Sequence, residues 1–239
     1  MSEPVAHDAW TELYANFLEH TLKLHPIDIV IDAGAHEGQF AKKLRQIGFT
    51  GQIHSFEPSP GPFQQCLESS LSDPNWSVYE IALGDFDGRA TLNISPGTGS
   101  SFMAASEFGR RLFPDLTSAN ASDVRISRLD SFLSSEYKLS TQPRIFVKLD
   151  TQGHDLYVMK GLGQWNSCVQ IVQAELSVIP IYENMQFIGS SLNSFNSIGY
   201  QPIGFFPVST LKSSGRVLEF DALMLHNITG FTREEAWSL

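Results

Sequence analysis

Two short stretches of the chain place glycine and acidic residues directly after apolar runs. Residues 30–38 read Val-Ile-Asp-Ala-Gly-Ala-His-Glu-Gly, and residues 53–58 read Ile-His-Ser-Phe-Glu-Pro. Glycine lets the backbone approach a ligand closely, and an acidic residue at the end of the following strand can accept hydrogen bonds from both hydroxyls of a ribose. The pattern therefore predicts a site for a nucleoside-containing cofactor. The predicted contacts are Asp32, Gly34, Ala35, Gly38, Glu57 and Pro58.

The glycine spacing and the nearby charge favour S-adenosylmethionine over a dinucleotide. A pyrophosphate site usually carries Gly-x-Gly-x-x-Gly, which turns bare backbone amides and a helix N-terminus toward the phosphates. Here only Gly34 and Gly38 are present, and the carboxylate of Asp32 stands where it would repel phosphates. S-adenosylmethionine has no phosphate and carries an ammonium and a sulfonium, which suit an acidic residue. An ordinary strand-to-helix turn followed by an exposed glutamate stays the structural alternative.

Two more carboxylates follow apolar runs later in the chain. Asp150 comes directly after residues 145–149, and Glu175 lies near the end of residues 168–176. Open α/β sheets bind ligands at the carboxyl ends of their strands, so we expect both side chains at one edge. Converging carboxylates permit general-base chemistry or metal binding. Asp150 is predicted to hold the cofactor's ammonium or to take the acceptor's proton, with Glu175 beside it, and a divalent metal stays an alternative that is not predicted.

His154 and three residues from other segments complete the predicted site. An imidazole can act as a general base near neutral pH, so His154 at the start of the next helix is a third catalytic candidate, with a helix-cap or surface histidine as the alternative. Ala82 and Leu83, at the end of the third strand, are expected along the adenine through backbone and packing contacts. Ser101 is expected at the cofactor from a Ser- and Gly-rich segment, residues 95–122, whose weak periodicity indicates a lid or mobile loop.

The elements that must position these residues alternate between strand and helix. Apolar residues at helical spacing up to Leu24 predict a leading helix within residues 1–25, and residues 26–239 are expected to form one domain. The later pattern reads β-α-β-α-β and then β-α-β-α-β-β, with residues 76–83 as the third strand. This order predicts an α/β fold, a doubly wound Rossmann-like sheet that ends in an antiparallel hairpin.

Length, composition and charge limit the classes of protein that fit the chain. It has 239 residues, 42% of them hydrophobic and 18% charged, which allows a sizeable core and argues against disorder. The formal charge of −10 argues against binding to nucleic acid or anionic lipid. Cys66 and Cys168 have no metal-binding spacing and are expected as buried free thiols. With no signal-peptide pattern and no apolar run of about 18 residues, a cytoplasmic protein without a membrane segment is expected.

Four blocks follow one another along the chain: Ile31-Asp32-Ala33-Gly34-Ala35-His36-Glu37-Gly38, Ser55-Phe56-Glu57-Pro58, Ala82-Leu83-Gly84-Asp85 and Val147-Lys148-Leu149-Asp150-Thr151-Gln152-Gly153. Taken in this order, they resemble methyltransferases of the FkbM type. The first two blocks occur in many class I methyltransferases, and the last two are more specific to the FkbM type. The resemblance covers residues 28–226, and many members carry a glutamate where this chain has Gln152.

This resemblance implies an S-adenosylmethionine-dependent enzyme with a class I methyltransferase sheet in residues 26–239. Such enzymes typically methylate a hydroxyl of a small molecule, secondary metabolite or sugar by direct transfer to an aligned oxygen that loses its proton. The alternatives are N-methylation, a nicotinamide-dependent reduction, and a non-catalytic adenosyl-cofactor-binding module that acts through protein partners. The missing third glycine disfavours the reductase, and the carboxylates of Asp32, Glu57 and Asp150 disfavour the module. The acceptor and the oligomeric state stay open.

Overall fold

The computed structural model describes residues 7–211 and 213–227 of the chain. Within them, no helix is both long enough and apolar enough to cross a membrane. The α-helices are α1 His7–Leu24, α2 Gln39–Gln46, α3 Pro60–Ser70, α4 Glu107–Leu112, α5 Leu129–Glu136, α6 Asp155–Lys160 and α7 Ile188–Ser197. The strands are β1 Ile29–Ala33, β2 Gln52–Phe56, β3 Trp76–Tyr79, β4 Ala82–Gly84, β5 Gly88–Ile94, β6 Asn120–Arg128, β7 Ile145–Leu149, β8 Val169–Ser177, β9 Tyr200–Leu211 and β10 Arg216–His226.

The main sheet has seven strands in the order β3-β2-β1-β7-β8-β10-β9. The first five of these strands run parallel, and β10 runs antiparallel to both β8 and β9. This order confirms the predicted doubly wound sheet with a C-terminal antiparallel hairpin. Because β1 lies between β2 and β7, the strand order reverses there, and such a switch point opens a crevice for a ligand.

Helices and loops cover both faces of the main sheet. Every residue of β1 and β7 is buried, as expected of parallel strands between two layers. On one face, apolar side chains of α5, α6 and α7, including Phe195, form a core with the strands. On the other face, Phe146 packs on Phe40 of α2, with ring centroids 5.7 Å apart, in a second cluster that also contains Leu18 of α1. The leading helix also covers the sheet edge, where the ring centroids of Tyr14 and Phe206 lie 5.3 Å apart.

The prediction that residues 76–83 form one continuous third strand is wrong. The strand β3 ends at Tyr79 and pairs with β2, whereas β4 begins at Ala82 and belongs to a second sheet with the order β4-β6-β5. The chain bends between them so that Tyr79 packs on Phe56 and Ala82 enters a separate apolar cluster with β5 and β6. Both halves are extended, so the periodicity of the sequence does not reveal the change of sheet.

The prediction that residues 95–122 have no secondary structure of their own is also wrong. The segment contains α4, a 3-10 helix at Pro114–Ser118 and the first residues of β6. Its apolar side chains, among them Leu116, pack on Ile181 and Tyr182 beyond the end of β8. These contacts join distant parts of the chain, so a local composition rich in Ser and Gly does not indicate them.

The turn after β1 depends on Gly34. This residue has a φ of +79°, in the left-handed region that favours glycine, and a Cβ here would collide with the carbonyl oxygen of Asp150. The amides of Gly34 and Ala35 both donate to the Phe56 carbonyl oxygen, at 2.9 and 3.0 Å. The turn therefore packs closely on the ends of both β2 and β7 and fixes how near their carboxyl ends lie.

Replacing Gly34 by alanine should destabilise the protein more than the same change at Gly48. Gly48 has a φ of +90°, but no described atom lies within 4 Å of an added Cβ, so Gly48→Ala costs only left-handed strain of about 1–2 kcal/mol. The collision at Gly34 adds about 1–3 kcal/mol. In thermal unfolding, the Tm of Gly34→Ala should lie at least about 2 °C below that of Gly48→Ala. Equal Tm values would contradict the close approach of turn and strand.

Candidate functional site

A cavity of about 380 Å³ opens at the carboxyl ends of β1, β2, β7 and β8, within the size range of small-molecule sites. Residues that were predicted to bind the cofactor and residues that were predicted to act in catalysis both line this cavity. Asp32, Ser101 and His154 lie outside its lining, and Gly38 faces the ring of Trp76, 2.7 Å from an added Cβ. The predicted residues that line the cavity are Gly34, Ala35, Glu57, Pro58, Ala82 and Leu83, together with Asp150 and Glu175.

Glu57 presents a fixed carboxylate to this cavity. The residue is 6% exposed, its Oε2 accepts a hydrogen bond from the His36 amide at 2.9 Å, and its Oε1 accepts one from the Ser59 amide at 2.8 Å. The carboxylate thereby joins the turn after β1 to the start of α3. Each carboxylate oxygen keeps lone-pair capacity for a further donor, so Glu57 can still accept hydrogen bonds from two hydroxyl groups.

A buried lysine occupies the centre of the site. The Nζ of Lys148 lies 3.1 Å from Asp150 Oδ2, 3.3 Å from the Gly34 carbonyl oxygen and 3.4 Å from Asp32 Oδ1. Burial opposes its charge, but Asp150 and Asp32 outweigh burial and raise the pKa of Lys148. For Asp32, burial raises the pKa of the carboxyl, and the charge of Lys148 opposes that rise. Asp32 also accepts a hydrogen bond from Ser55 Oγ at 3.2 Å, so it contacts Lys148 beneath the cavity rather than the cavity itself.

Gln152 links the two carboxylates at the strand ends. Its Nε2 donates to Asp150 Oδ1 and to Glu175 Oε2, both at 3.0 Å. The side chain of Asp150 is 41% exposed, whereas burial and then the charge of Asp150 raise the pKa of Glu175 well above its ordinary value. The pair therefore offers one accessible carboxylate and one that keeps its proton to higher pH. Across residues 7–211 and 213–227, no three His, Cys, Asp or Glu side chains are arranged to hold a metal ion.

The far end of the cavity carries a second group of polar side chains. Asp221 of β10 lies directly opposite Glu175 in the strand ladder, and Tyr14 of α1 donates to Gln173 Oε1 at 2.6 Å. The Nζ of Lys43 lies 4.6 Å from the centre of the Tyr14 ring. Burial raises the pKa of Asp221 to about 6. This end therefore offers a carboxylate, a carboxamide, a phenol and an ammonium to a ligand.

His154 and Ser101 lie behind the cavity wall. The ring of His154 stacks on Tyr157 with centroids 4.5 Å apart and lies 4.7 Å from the ring of Phe102. Burial lowers the pKa of His154 to about 4, so the imidazole is neutral near pH 7. Ser101 Oγ donates to the backbone oxygen of Gln152 at 2.7 Å, and the neighbouring Phe102 lines the cavity in its place. Neither residue lines the cavity; His154 packs on Phe102 and Ser101 bonds to Gln152, and both of those partners do line it.

The sequence analysis gave no role to several residues at the centre and far end of the cavity. Lys148 interrupts the apolar run of β7 two residues before Asp150, and Gln173 stands two residues before Glu175 on β8. Because side chains alternate along a strand, each pair shares one face. A polar residue two positions before a predicted site residue is therefore a usable signal. No comparable signal marks the residues from α1, α2 and β10, which are Tyr14, Lys43 and Asp221.

The chain is similar to known methyltransferases. The family described as the methyltransferase FkbM domain matches residues 32–202. The 2-O-methyltransferase NoeI of Sinorhizobium fredii is 28% identical over 76 residues, which are 32% of this chain and 31% of that protein, so the chain matches less than a third of that relative's length. Aeropyrum pernix fibrillarin in complex with natively bound S-adenosyl-L-methionine has a TM-score of 0.49 at 9% identity, over 90% of this chain and 74% of that chain. An rRNA methylase from Streptococcus thermophilus has a TM-score of 0.47 at 9% identity, over 94% and 99% of the two chains.

Replacing Asp221 by asparagine should stabilise the protein most above pH 6. The pKa of Asp221 is about 6 in the folded protein against an ordinary value of 3.8. Its ionised form therefore costs folding free energy above pH 6, and this cost disappears as the pH falls below 4, where both states are protonated. The difference in Tm between Asp221→Asn and wild type should rise from pH 4 to pH 7 and then level off. Groups common to both proteins cancel in that difference, and one that falls with pH would contradict the assignment.

Proposed function

The chain belongs to the FkbM methyltransferase family, and we propose that it transfers the methyl group of S-adenosylmethionine to a hydroxyl group of a small molecule or sugar. One observation carries the proposal. A single cavity has the fixed carboxylate of Glu57 at one end, the exposed carboxylate of Asp150 at its centre and hydrogen-bonding side chains at its far end. The matched segment of a 2-O-methyltransferase supports oxygen as the acceptor atom.

The end of the cavity at Glu57 fits an adenosyl group. Glu57 has capacity for both ribose hydroxyls, and each such charge-assisted bond contributes about 1.5–3 kcal/mol. Ala82, Leu83 and Phe102 provide an apolar wall for the adenine. The turn at Gly34 lies between Glu57 and the strand end at β7, where the methionine part belongs. S-adenosylmethionine, when bound, supplies a methyl group that its sulfonium makes reactive.

The residues at the centre and far end suit the alignment and deprotonation of an acceptor. Lys148 holds Asp150 Oδ2 and Gln152 holds Asp150 Oδ1, so this carboxylate is fixed in direction. We assign to Asp150 the proton of the acceptor hydroxyl, which leaves the oxygen as it attacks the methyl carbon. Gln173 and Asp221 can hold further hydroxyls of the acceptor. Fixed alignment of the reacting atoms is the larger part of such catalysis because the donor is already activated.

Methylation of an amine is the second candidate function. Asp150 and Asp221 line the same cavity, and carboxylates attract a cationic amine through their field. An amine must still lose a proton before it attacks, so the same base would serve. An acceptor panel that contains both amines and hydroxyl compounds distinguishes the two candidates by the product formed.

Replacing Glu57 by alanine should weaken the binding of S-adenosylhomocysteine at least about tenfold, because two ribose hydrogen bonds are lost and each 1.4 kcal/mol is tenfold. Isothermal titration calorimetry measures this affinity. The exposed Glu80, at the end of the neighbouring strand β3, is the matched control, and Glu80→Ala should bind as wild type does. Wild type should also bind S-adenosylhomocysteine and S-adenosylmethionine more tightly than NAD. Unchanged affinity in folded Glu57→Ala would remove Glu57 from the site.

Replacing Asp150 by asparagine should lower methyl transfer about 10²–10⁴-fold, because asparagine keeps the shape of the side chain and cannot take a proton. His154→Ala should lower it far less, since the neutral imidazole lies behind the wall. Both variants are assayed on a panel of sugars, hydroxylated metabolites and amines, with and without a chelator.

The outcomes of that assay separate three roles for Asp150. A kcat that falls while the affinity for S-adenosylhomocysteine is kept supports the role of base, and a lost affinity supports contact with the cofactor's ammonium. If His154→Ala is the more damaging change, the histidine is the base. If the chelator abolishes activity, Asp150 is a metal ligand, with Glu175 as its partner.

A further inference from the structure

Gln152 is held in place from several directions. Its backbone has a φ of +51°, a left-handed value that residues other than glycine rarely adopt. Ser101 Oγ donates to its backbone oxygen at 2.7 Å, and the Tyr182 hydroxyl lies 3.0 Å from its Oε1. The opposite end of the amide faces Asp150 and Glu175 at 3.0 Å each. Only the nitrogen end of an amide can meet two carboxylate oxygens with donors, which fixes the orientation of the side chain.

We propose that Gln152 is a positioning residue that takes the place of a cation between Asp150 and Glu175. Both carboxyl groups face one cavity and bond to the same amide nitrogen, so they would repel each other if both were ionised. The two hydrogens of one amide nitrogen satisfy one oxygen of each group and hold them at a fixed separation. A glutamate at this position would bring a third acidic side chain and, when ionised, no donor. The inference rests on the proposed function insofar as Asp150 takes the acceptor's proton.

The direction of Asp150 depends on this amide. The Nζ of Lys148, on β7, donates to Asp150 Oδ2 at 3.1 Å, and the Nε2 of Gln152, which also bonds to Glu175, donates to Asp150 Oδ1 at 3.0 Å. Without the amide, only the lysine remains as a donor on the carboxylate among the described residues. The Tyr182 hydroxyl that contacts Gln152 also lies 2.9 Å from the Gly99 carbonyl oxygen. Through Tyr182, Gln152 therefore connects the two carboxyl groups to the loop around Gly99, whose neighbours Ser100 and Phe102 line the cavity.

Gln152→Glu tests the inference with a metal ion alone. A third carboxylate beside Asp150 and Glu175 gives an oxygen-rich set that suits calcium-like cations. Terbium chloride is titrated into wild type, Gln152→Glu and Gln152→Ala, and tyrosine-sensitised luminescence reports binding beside Tyr182. Gln152→Glu should bind terbium at least about tenfold more tightly than the other two proteins, as expected for one added carboxylate ligand, and calcium should compete. Adding Tyr182→Phe to Gln152→Glu should remove most of the sensitised emission.

Two results of the terbium titration would overturn the inference. The first is equal terbium affinity in wild type and Gln152→Glu, and the second is emission that does not depend on Tyr182. The Tm of each protein shows that it is folded. Neither cofactor nor acceptor enters the titration, so its outcome is separate from that of the methyl-transfer assay.

Gln152→Ala provides a second test that needs no new metal site. Removing both donors should lower kcat at least about tenfold while the affinity for S-adenosylhomocysteine changes little. The acidic limb of the pH–rate profile should move to higher pH, because a carboxylate base that loses a donor has a higher pKa. Gln152→Asn, with its shorter amide, should behave as Gln152→Ala does. An acidic limb that stays in place in the folded variant contradicts the positioning role, since a merely structural residue lowers the Tm without moving that limb.

Discussion

The ammonium of Lys148 is the interaction on which the rest of the site depends. It lies at the switch point of the sheet, within ion-pair distance of Asp32 on β1 and Asp150 after β7, and it contacts the carbonyl oxygen of Gly34 in the turn between them. A buried charge without a partner costs several kcal/mol, so the lysine and Asp32 are stable in this place only together. The turn after β1 and the end of β7 therefore cannot shift independently. Because Lys148 also bonds to Asp150, the buried pair fixes the position of this exposed carboxylate.

The same arrangement separates the titratable groups into different protonation states. Lys148 stays charged because two carboxylates outweigh its burial, whereas burial and the charge of Asp150 raise the pKa values of Glu175 and Asp221. His154, buried against aromatic rings, has its pKa lowered to about 4. Groups whose environments drive their pKa values apart are those that can divide acid and base roles. In the proposed reaction, the accessible Asp150 takes the proton, whereas the buried Glu175 keeps its own proton to higher pH.

The sequence predicts those parts of the fold and site that depend on local burial. The strand β7 has the bounds that its apolar run predicts, and Glu57 and Asp150 follow β2 and β7 directly and line the cavity. The change of sheet after Tyr79 and the helix α4 depend on packing between distant segments, which a local pattern does not contain. Asp221 faces the cavity only because β10 inserts between β8 and β9. Its role is thus invisible until the strand order is known.

The two ends of the cavity differ in whether short motifs or distant segments form them, and this difference bears on which acceptor the protein selects. The end of the cavity that we propose for the cofactor consists of short motifs, which carry the resemblance to the family, whereas the far end combines side chains from α1, α2, β8 and β10. Family membership therefore constrains the reaction more than the acceptor. At the far end, Gln173 hydrogen-bonds to Asp221 and accepts from Tyr14, yet both side chains line the cavity and keep hydrogen-bonding capacity toward it. An apolar acceptor would displace water from these two groups without replacing its hydrogen bonds, which costs free energy. An acceptor with several hydroxyls satisfies them, and sites built for hydrogen bonding reject ligands that lack the matching groups. Within the proposed function, the far end therefore suits a polar acceptor such as a sugar better than an apolar one, because only the polar acceptor replaces the hydrogen bonds of the displaced water.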